Sequence, residues 1–186
     1  MKKLAILSML CMTALTLLGC SKIGSTAKEA PFKTQTIEID KYQFEIPDTW
    51  KRVEDPNINS ALYIFTPENA DLTKNSSNVA ITIIPKTDKS PTMEQLKSST
   101  AGLEKQIKGV FKDAKDFKFD ELSVPSGKVF TLSYSVQFGD ITMVQTQYYI
   151  LMDNQTVVIT STDIGDGVSP SPIEVINHMA ESFKEK

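Results

Sequence analysis

The chain has 186 residues with 20 basic and 23 acidic side chains, one histidine, two cysteines and a formal net charge of −3 at pH 7. This mild acidity excludes a broad nucleic-acid or anionic-bilayer surface, because binding phosphates needs clustered Lys and Arg. The length suits one domain that buries enough of its own surface to fold without covalent staples.

Lys2 and Lys3 precede residues 4–18, an apolar run interrupted only by small hydroxyls at Ser8, Thr13 and Thr16. At roughly 15 residues the run has the length of a signal-peptide core and falls short of the ~20 that span a bilayer. Leu17, Leu18, Gly19 and Cys20 follow, and they resemble the lipobox read by lipoprotein signal peptidase. The leucine stands three residues before the cut, the glycine lets the backbone enter a narrow site, and the Cys20 thiol is the nucleophile that takes a diacylglyceryl group. Cys11 leaves with the signal, so the mature chain has no thiol beyond its anchor. Thiolate metal sites, thiol nucleophiles and disulfide exchange are thereby excluded. Residues 1–19 are expected to be the signal peptide, 20–35 the lipidated cysteine and a flexible tether, and 36–186 a single domain. Acyl chains on Cys20 hold the protein firmly to a membrane. In a cell with two membranes, Ser21 in second position favours the periplasmic face of the outer one.

From Ile37 the pattern alternates. Ile37 and Ile39, then Tyr42, Phe44 and Ile46, read as two strands turning at Asp40-Lys41, with a break at Pro47-Asp48 before Trp50. Residues 61–66 and 79–84 are apolar on both faces and predict interior strands, the second ended by Pro85. The period then lengthens. Thr92 and Gln95 form a capping box, and Met93, Leu96, Thr100, Leu103, Ile107 and Val110 make one apolar stripe of a long amphipathic helix expected to cover the sheet.

Phe117 and Phe119 open a further strand that runs to about Val124, ahead of a Pro125-Ser126-Gly127 turn. Residues 129–138, 141–151 and 156–161 are joined so tightly that they must be antiparallel neighbours. On the first of these, Val129, Thr131, Ser133 and Ser135 form a row expected to face solvent. Ser171-Pro172-Ile173-Glu174 is a strong helix start, and Ile173, Ile176, Ala180 and Phe183, with Met179 alongside, are expected to be the edge that docks on the sheet.

Phe44-Glu45-Ile46-Pro47 with Trp50 beyond, a central long helix, an antiparallel meander and a closing helix ending Ser182-Phe183 resemble the PsbP-like superfamily. That superfamily includes the extrinsic P subunit of photosystem II, the Ran-binding Mog proteins and DcrB-like bacterial lipoproteins. The lipoprotein signal fits the DcrB-like branch best, and the resemblance spans residues 36–183. It implies an α+β domain: an α/β/α sandwich with a central, mainly antiparallel sheet and helices on both faces. It also implies binding and assembly as the family's work, and it carries over no functional residue.

Few side chains invite chemistry. His178, the only histidine, lies off the apolar edge of the last helix and is expected to be exposed; Glu174, Asn177 and Glu181 are its neighbours in the chain. No Gly-x-Ser-x-Gly elbow offers it a nucleophile. Asp163-Ile164-Gly165-Asp166-Gly167 brings together two carboxylates and two glycines, but its spacing misses the calcium-loop pattern, and it reads first as a glycine-rich connection. Trp50 and Tyr42 suit a ligand platform or, more simply, the core. Asp113, Asp116 and Asp120, interspersed with Lys112, Lys115 and Lys118, read as a solvated edge. Asp163, Asp166 and Trp50 are thus the ligand-site candidates, and no catalytic residue, metal site or cofactor is expected.

The leading expectation is a non-enzymatic, membrane-anchored envelope lipoprotein that acts as a protein-binding or assembly domain. Its soluble part is expected to be monomeric, with an envelope protein as partner and no nucleic acid. The alternative is a small-ligand or metal-ion-binding envelope lipoprotein. A hydrolase ranks third, since it needs opposed carboxylates with separated pKa values.

Overall fold

The computed structural model describes residues 31–54, 62–71 and 75–186. Antiparallel pairing dominates it. A hairpin of β1 (Thr34–Ile39) and β2 (Tyr42–Pro47) turns at Asp40, which takes the positive φ of 57° that a two-residue loop demands. Short β3 (Trp50–Arg52) then pairs with β4 (Leu62–Pro67), and β4 with β5 (Asn78–Pro85). After two helices come β6 (Lys115–Val124), β7 (Gly127–Phe138), β8 (Ile141–Leu151) and β9 (Gln155–Asp163). The seven-stranded sheet runs β3-β4-β5-β9-β8-β7-β6, so β9 returns to pair with β5 and closes the meander onto the first half of the chain.

The period change at Thr92 produces two helices, α1 (Met93–Ser98) and α2 (Thr100–Val110). Thr92 and Gln95 cap α1 reciprocally, Gln95 N–H donating to Thr92 Oγ1 at 3.2 Å and Thr92 N–H to Gln95 Oε1 at 2.8 Å. The single long helix expected from the stripe is broken at Ser99. Its hydroxyl donates back to the Gln95 carbonyl at 2.6 Å, and its backbone leaves the helical region at φ −105°, ψ 17°. A serine side chain that competes for backbone acceptors bends or ends a helix in this way. After the break the stripe no longer lies flat on the sheet. Leu96 is buried against Phe130, Leu132, Tyr134 and Val136, Leu103 and Ile107 are only half-buried, and Val110 is 74% exposed.

The opposite face of the large sheet carries α3 (Pro172–Ser182), whose end leads into β10 (Lys184–Glu185). β10 pairs with β2, making a small sheet in the order β1-β2-β10. Helices therefore stand on both faces, as expected, but one face is also roofed by this second sheet. With the large sheet on one side and β2 on the other, α3 is enclosed over a wide arc, which corrects two expectations. Ile173 is exposed, and the buried stripe is Val175, Ile176, Met179, Ala180 and Phe183. His178, expected in solvent, is only 5% exposed because it faces β2. Burying each of these larger apolar side chains contributes roughly 1.5–3 kcal/mol.

The hydroxyl row of β7 is a further correction, since Thr131 and Ser135 are buried. Thr131 lies between Tyr148 and Asp120 on the flanking strands, whose longer side chains shade it. Ser135 donates to Asp116 Oδ2 at 2.6 Å, across a bulge where Asp116 adopts a φ of 58°. Asp116 is exposed, as the solvated edge predicted, and through this bond it also ties that edge to β7.

Ser182 joins α3 to the small sheet, accepting from Glu45 N–H at 3.0 Å and donating to the His178 carbonyl at 2.8 Å. Ser182→Ala removes the acceptor of Glu45 N–H and is expected to cost about 1–3 kcal/mol in denaturant unfolding. Ile173→Ala on the outer face of the same helix is expected to stay within about 0.5 kcal/mol of the parent.

Candidate functional site

The 163–167 segment leaves β9 and must reach the start of α3. Gly165 and Gly167 supply positive φ values of 74° and 72°, and the carboxylates fix the turns between them. Asp163 Oδ1 accepts from Gly165 N–H at 2.8 Å. Asp166 reaches across to Ser77, taking its backbone N–H on Oδ2 at 3.0 Å and its hydroxyl on Oδ1 at 2.7 Å. Ser77 Oγ in turn accepts from Ile164 N–H at 3.2 Å. Burial works to raise the Asp166 pKa, but the Ser77 hydrogen bonds outweigh it and hold the carboxyl below its usual value. The two aspartates therefore do not converge: one shapes its own turn, and the other clamps the loop to the entry of β5.

This clamp forms one wall of a cleft of about 710 Å³, open to solvent. Residues 166–169 face Thr49, the 67–71 loop, Asn75 and Ser76. Glu68 on the rim pairs with Lys51. Amides, hydroxyls and carboxylates dominate the named lining, a surface suited to hydrogen-bonding an extended peptide or a polar molecule. Among the described residues no group of three or more His, Cys, Asp or Glu side chains is placed to hold a metal ion.

Trp50, beside Thr49 in the chain, is fully enclosed in the core with Tyr42, Phe44, Ile46 and Phe65, which favours core packing over a platform role. Its Nε1 is buried without a hydrogen-bond partner. Tyr42 is equally buried and donates to Gln155 Oε1 at 2.7 Å. A narrower slot of about 310 Å³ runs between β1 and β3, and Gln35 closes one end by donating to the Trp50 carbonyl at 2.7 Å. Cys20, Leu17, Leu18 and Gly19 lie outside the described residues.

Around His178 the polar groups point apart. Nε2 meets Glu45 Oε2 at 3.0 Å, while Phe32 presents an edge to the ring at 5.6 Å. Ser182 Oγ is occupied by backbone partners, so Ser182, His178 and Glu45 lack the hydroxyl-to-imidazole bond that activates a nucleophile. Asn177 Oδ1 accepts from the Tyr148 hydroxyl at 2.6 Å, and Tyr148 is pushed up to about 12 by burial and by nearby Glu181. Glu174 accepts from Ser171 N–H at 2.8 Å as the helix cap, bonds that lower its pKa. These groups position α3.

Sequence reasoning missed Ser77. Its partner Asp166 lies 89 residues away, and no local pattern marks a serine that enters a strand as a loop anchor.

Two substitutions test this assignment. Asp166→Asn keeps the shape and removes the charge, with an expected loss of about 1 kcal/mol at neutral pH, limited by the exposure of the loop. Because the folded-state pKa is depressed, that stabilisation is present above the ordinary carboxylate value and disappears as pH falls through the folded pKa. The gap between parent and variant in pH-dependent unfolding should therefore close below about pH 4. Trp50→Ala is expected to cost about 3–5 kcal/mol. Trp50→Phe should cost clearly less, since it also relieves an unsatisfied N–H worth about 1–3 kcal/mol.

No protein-family model matches the chain, and no curated protein matches it by sequence. Among solved structures it is similar to the cyanobacterial PsbP protein CyanoP from Synechocystis sp. PCC 6803, with a TM-score of 0.56 and 16% identity over 91% of this chain and 99% of that one. LpqN of Mycobacterium tuberculosis, described as involved in cell envelope biogenesis, matches with a TM-score of 0.47 and 13% identity over 82% of this chain and 90% of that one. At such identities the likeness to CyanoP is one of fold, and the chain is an α+β domain of PsbP-like architecture.

Proposed function

We propose that this chain is an exported lipoprotein, anchored through Cys20, whose domain binds a partner protein of the cell envelope without transforming it. The lipobox supports the anchor, and the PsbP-like fold is compatible with a binding domain. The observation that carries the reading is the loop-walled cleft beside Asp166. It is roomy and open, and the Ser77 hydrogen bonds that hold Asp166 fix one wall, whose polar groups can satisfy the backbone of a partner segment.

The cleft's volume of about 710 Å³ also supports a second reading, a small polar ligand held by the same walls. The two part company in the size of what is captured.

A photo-crosslinking residue in place of Asn69, on the cleft wall, is expected to yield a discrete protein adduct in envelope preparations. The same residue in place of Asp153, at a turn on the opposite end of β8, should yield none. Absence of any adduct at position 69, together with heat on titration of envelope metabolites, would leave the small-ligand reading standing alone. Mass spectrometry of the mature N-terminus reads the anchor directly, and an unmodified Cys20 overturns it.

A further inference from the structure

Strand register sorts the ends of the elements onto two poles. Asp48 N–H donates to the Lys33 carbonyl, so the chain enters beside the end of β2. The pairs Trp50 with Pro67, Asn78 with Thr162, Val144 with Asp163, and Ser135 with both Val144 and Lys115 continue that level across the large sheet. The Gly139-Asp140 hairpin tip, the 163–171 loop and the end of α2 therefore share the entry pole.

Five large apolar side chains among the described residues are exposed, and four of them belong to this pole: Val110, Phe138, Val144 and Ile173, by 38% to 74%. Phe138 flanks the hairpin tip, Val144 lies four residues past it on the opposite face of the sheet, Val110 ends α2, and Ile173 opens α3. The fifth, Ile84, sits beside Pro85 at the opposite pole.

We propose that the entry pole docks on the lipid bilayer, with Phe138 at the tip of the β7–β8 hairpin entering the interfacial layer. The proposal rests on the reading that Cys20 is acylated. The dozen residues from Cys20 to Pro31 span at most about 40 Å when extended, so the pole where they join the domain is the one held nearest the membrane. Tethering turns docking into an intramolecular event, so a small apolar contact suffices where it would fail for a free protein.

The charges of the pole select the kind of surface. Asp48, Asp113, Asp116, Asp140, Asp163 and Asp166 outnumber Lys33, Lys112 and Lys115 there, which disfavours an anionic bilayer and leaves apolar contact with a zwitterionic one. Asp140 at the hairpin tip limits insertion to headgroup depth, since a carboxylate is expensive in hydrocarbon.

The absence of any mature cysteine beyond Cys20 makes the test direct. The full acylated chain is reconstituted in phosphatidylcholine vesicles with a nitroxide on Phe138→Cys or Ile84→Cys, and each label's collisions with oxygen and with a water-soluble nickel chelate are compared. Oxygen is expected to be favoured over the chelate several-fold more at 138 than at 84. Equal ratios at the two positions, with acylation verified by mass on the same sample, overturn the docking while leaving the anchor intact. A label at 138 that is shielded only after envelope protein is added assigns the patch to a protein and overturns it likewise. An unacylated Cys20 removes the anchor reading, and the docking falls with it.

Discussion

Helix α3 touches both sheets, and the rest of the domain is arranged around what that contact buries. Val175, Ile176, Met179, Ala180 and Phe183 fill the space between β2 on one side and β5, β9 and β8 on the other. Phe183 then packs against Tyr42 and Phe44 as the chain leaves the helix. A domain with no disulfide depends on this shared core, because nothing covalent ties the hairpin at one end of the sequence to the meander at the other. The polar bonds of Ser182, His178 and Asn177 add direction to a contact whose strength is apolar.

What could be read in advance follows the range of the interactions involved. Alternation is local, so the strands, their tight turns and the antiparallel meander were legible, as were both capping boxes, whose partners are three residues apart. The interruption at Ser99 was not, since a hydroxyl that returns to Gln95 looks the same in sequence as one pointing into water. His178 was misplaced for a different reason: a helical stripe foretells one buried face, and α3 has a sheet on either side. The cleft was half visible. The 163–167 loop drew attention through its carboxylates and glycines, whereas its opposite wall and the Ser77 anchor come from a part of the chain that only the closure of β9 on β5 brings near.

The two cavities differ in what made them. The slot beside Trp50 is a packing remainder between two sheet layers, crossed at one end by Gln35 and flanked by an indole N–H that finds no acceptor. The cleft is built from loops, which vary at little cost to the fold while the strands beneath hold them in place. A domain of this kind can change what it recognises without changing how it stands up.

The placement of β1 has a mechanical consequence. Among the described residues it is an edge strand paired only with β2, and the preceding residues reach it through Phe32 on His178 and Lys33 on Asp48. A load applied along the strand axis, away from the entry pole, stretches the whole ladder from Thr34 to Ile39 in shear, so its bonds resist together. A load applied sideways peels the strand from Thr34 one bond at a time. The domain should thus hold against tension from the direction in which its own chain arrives and yield first to a pull across it.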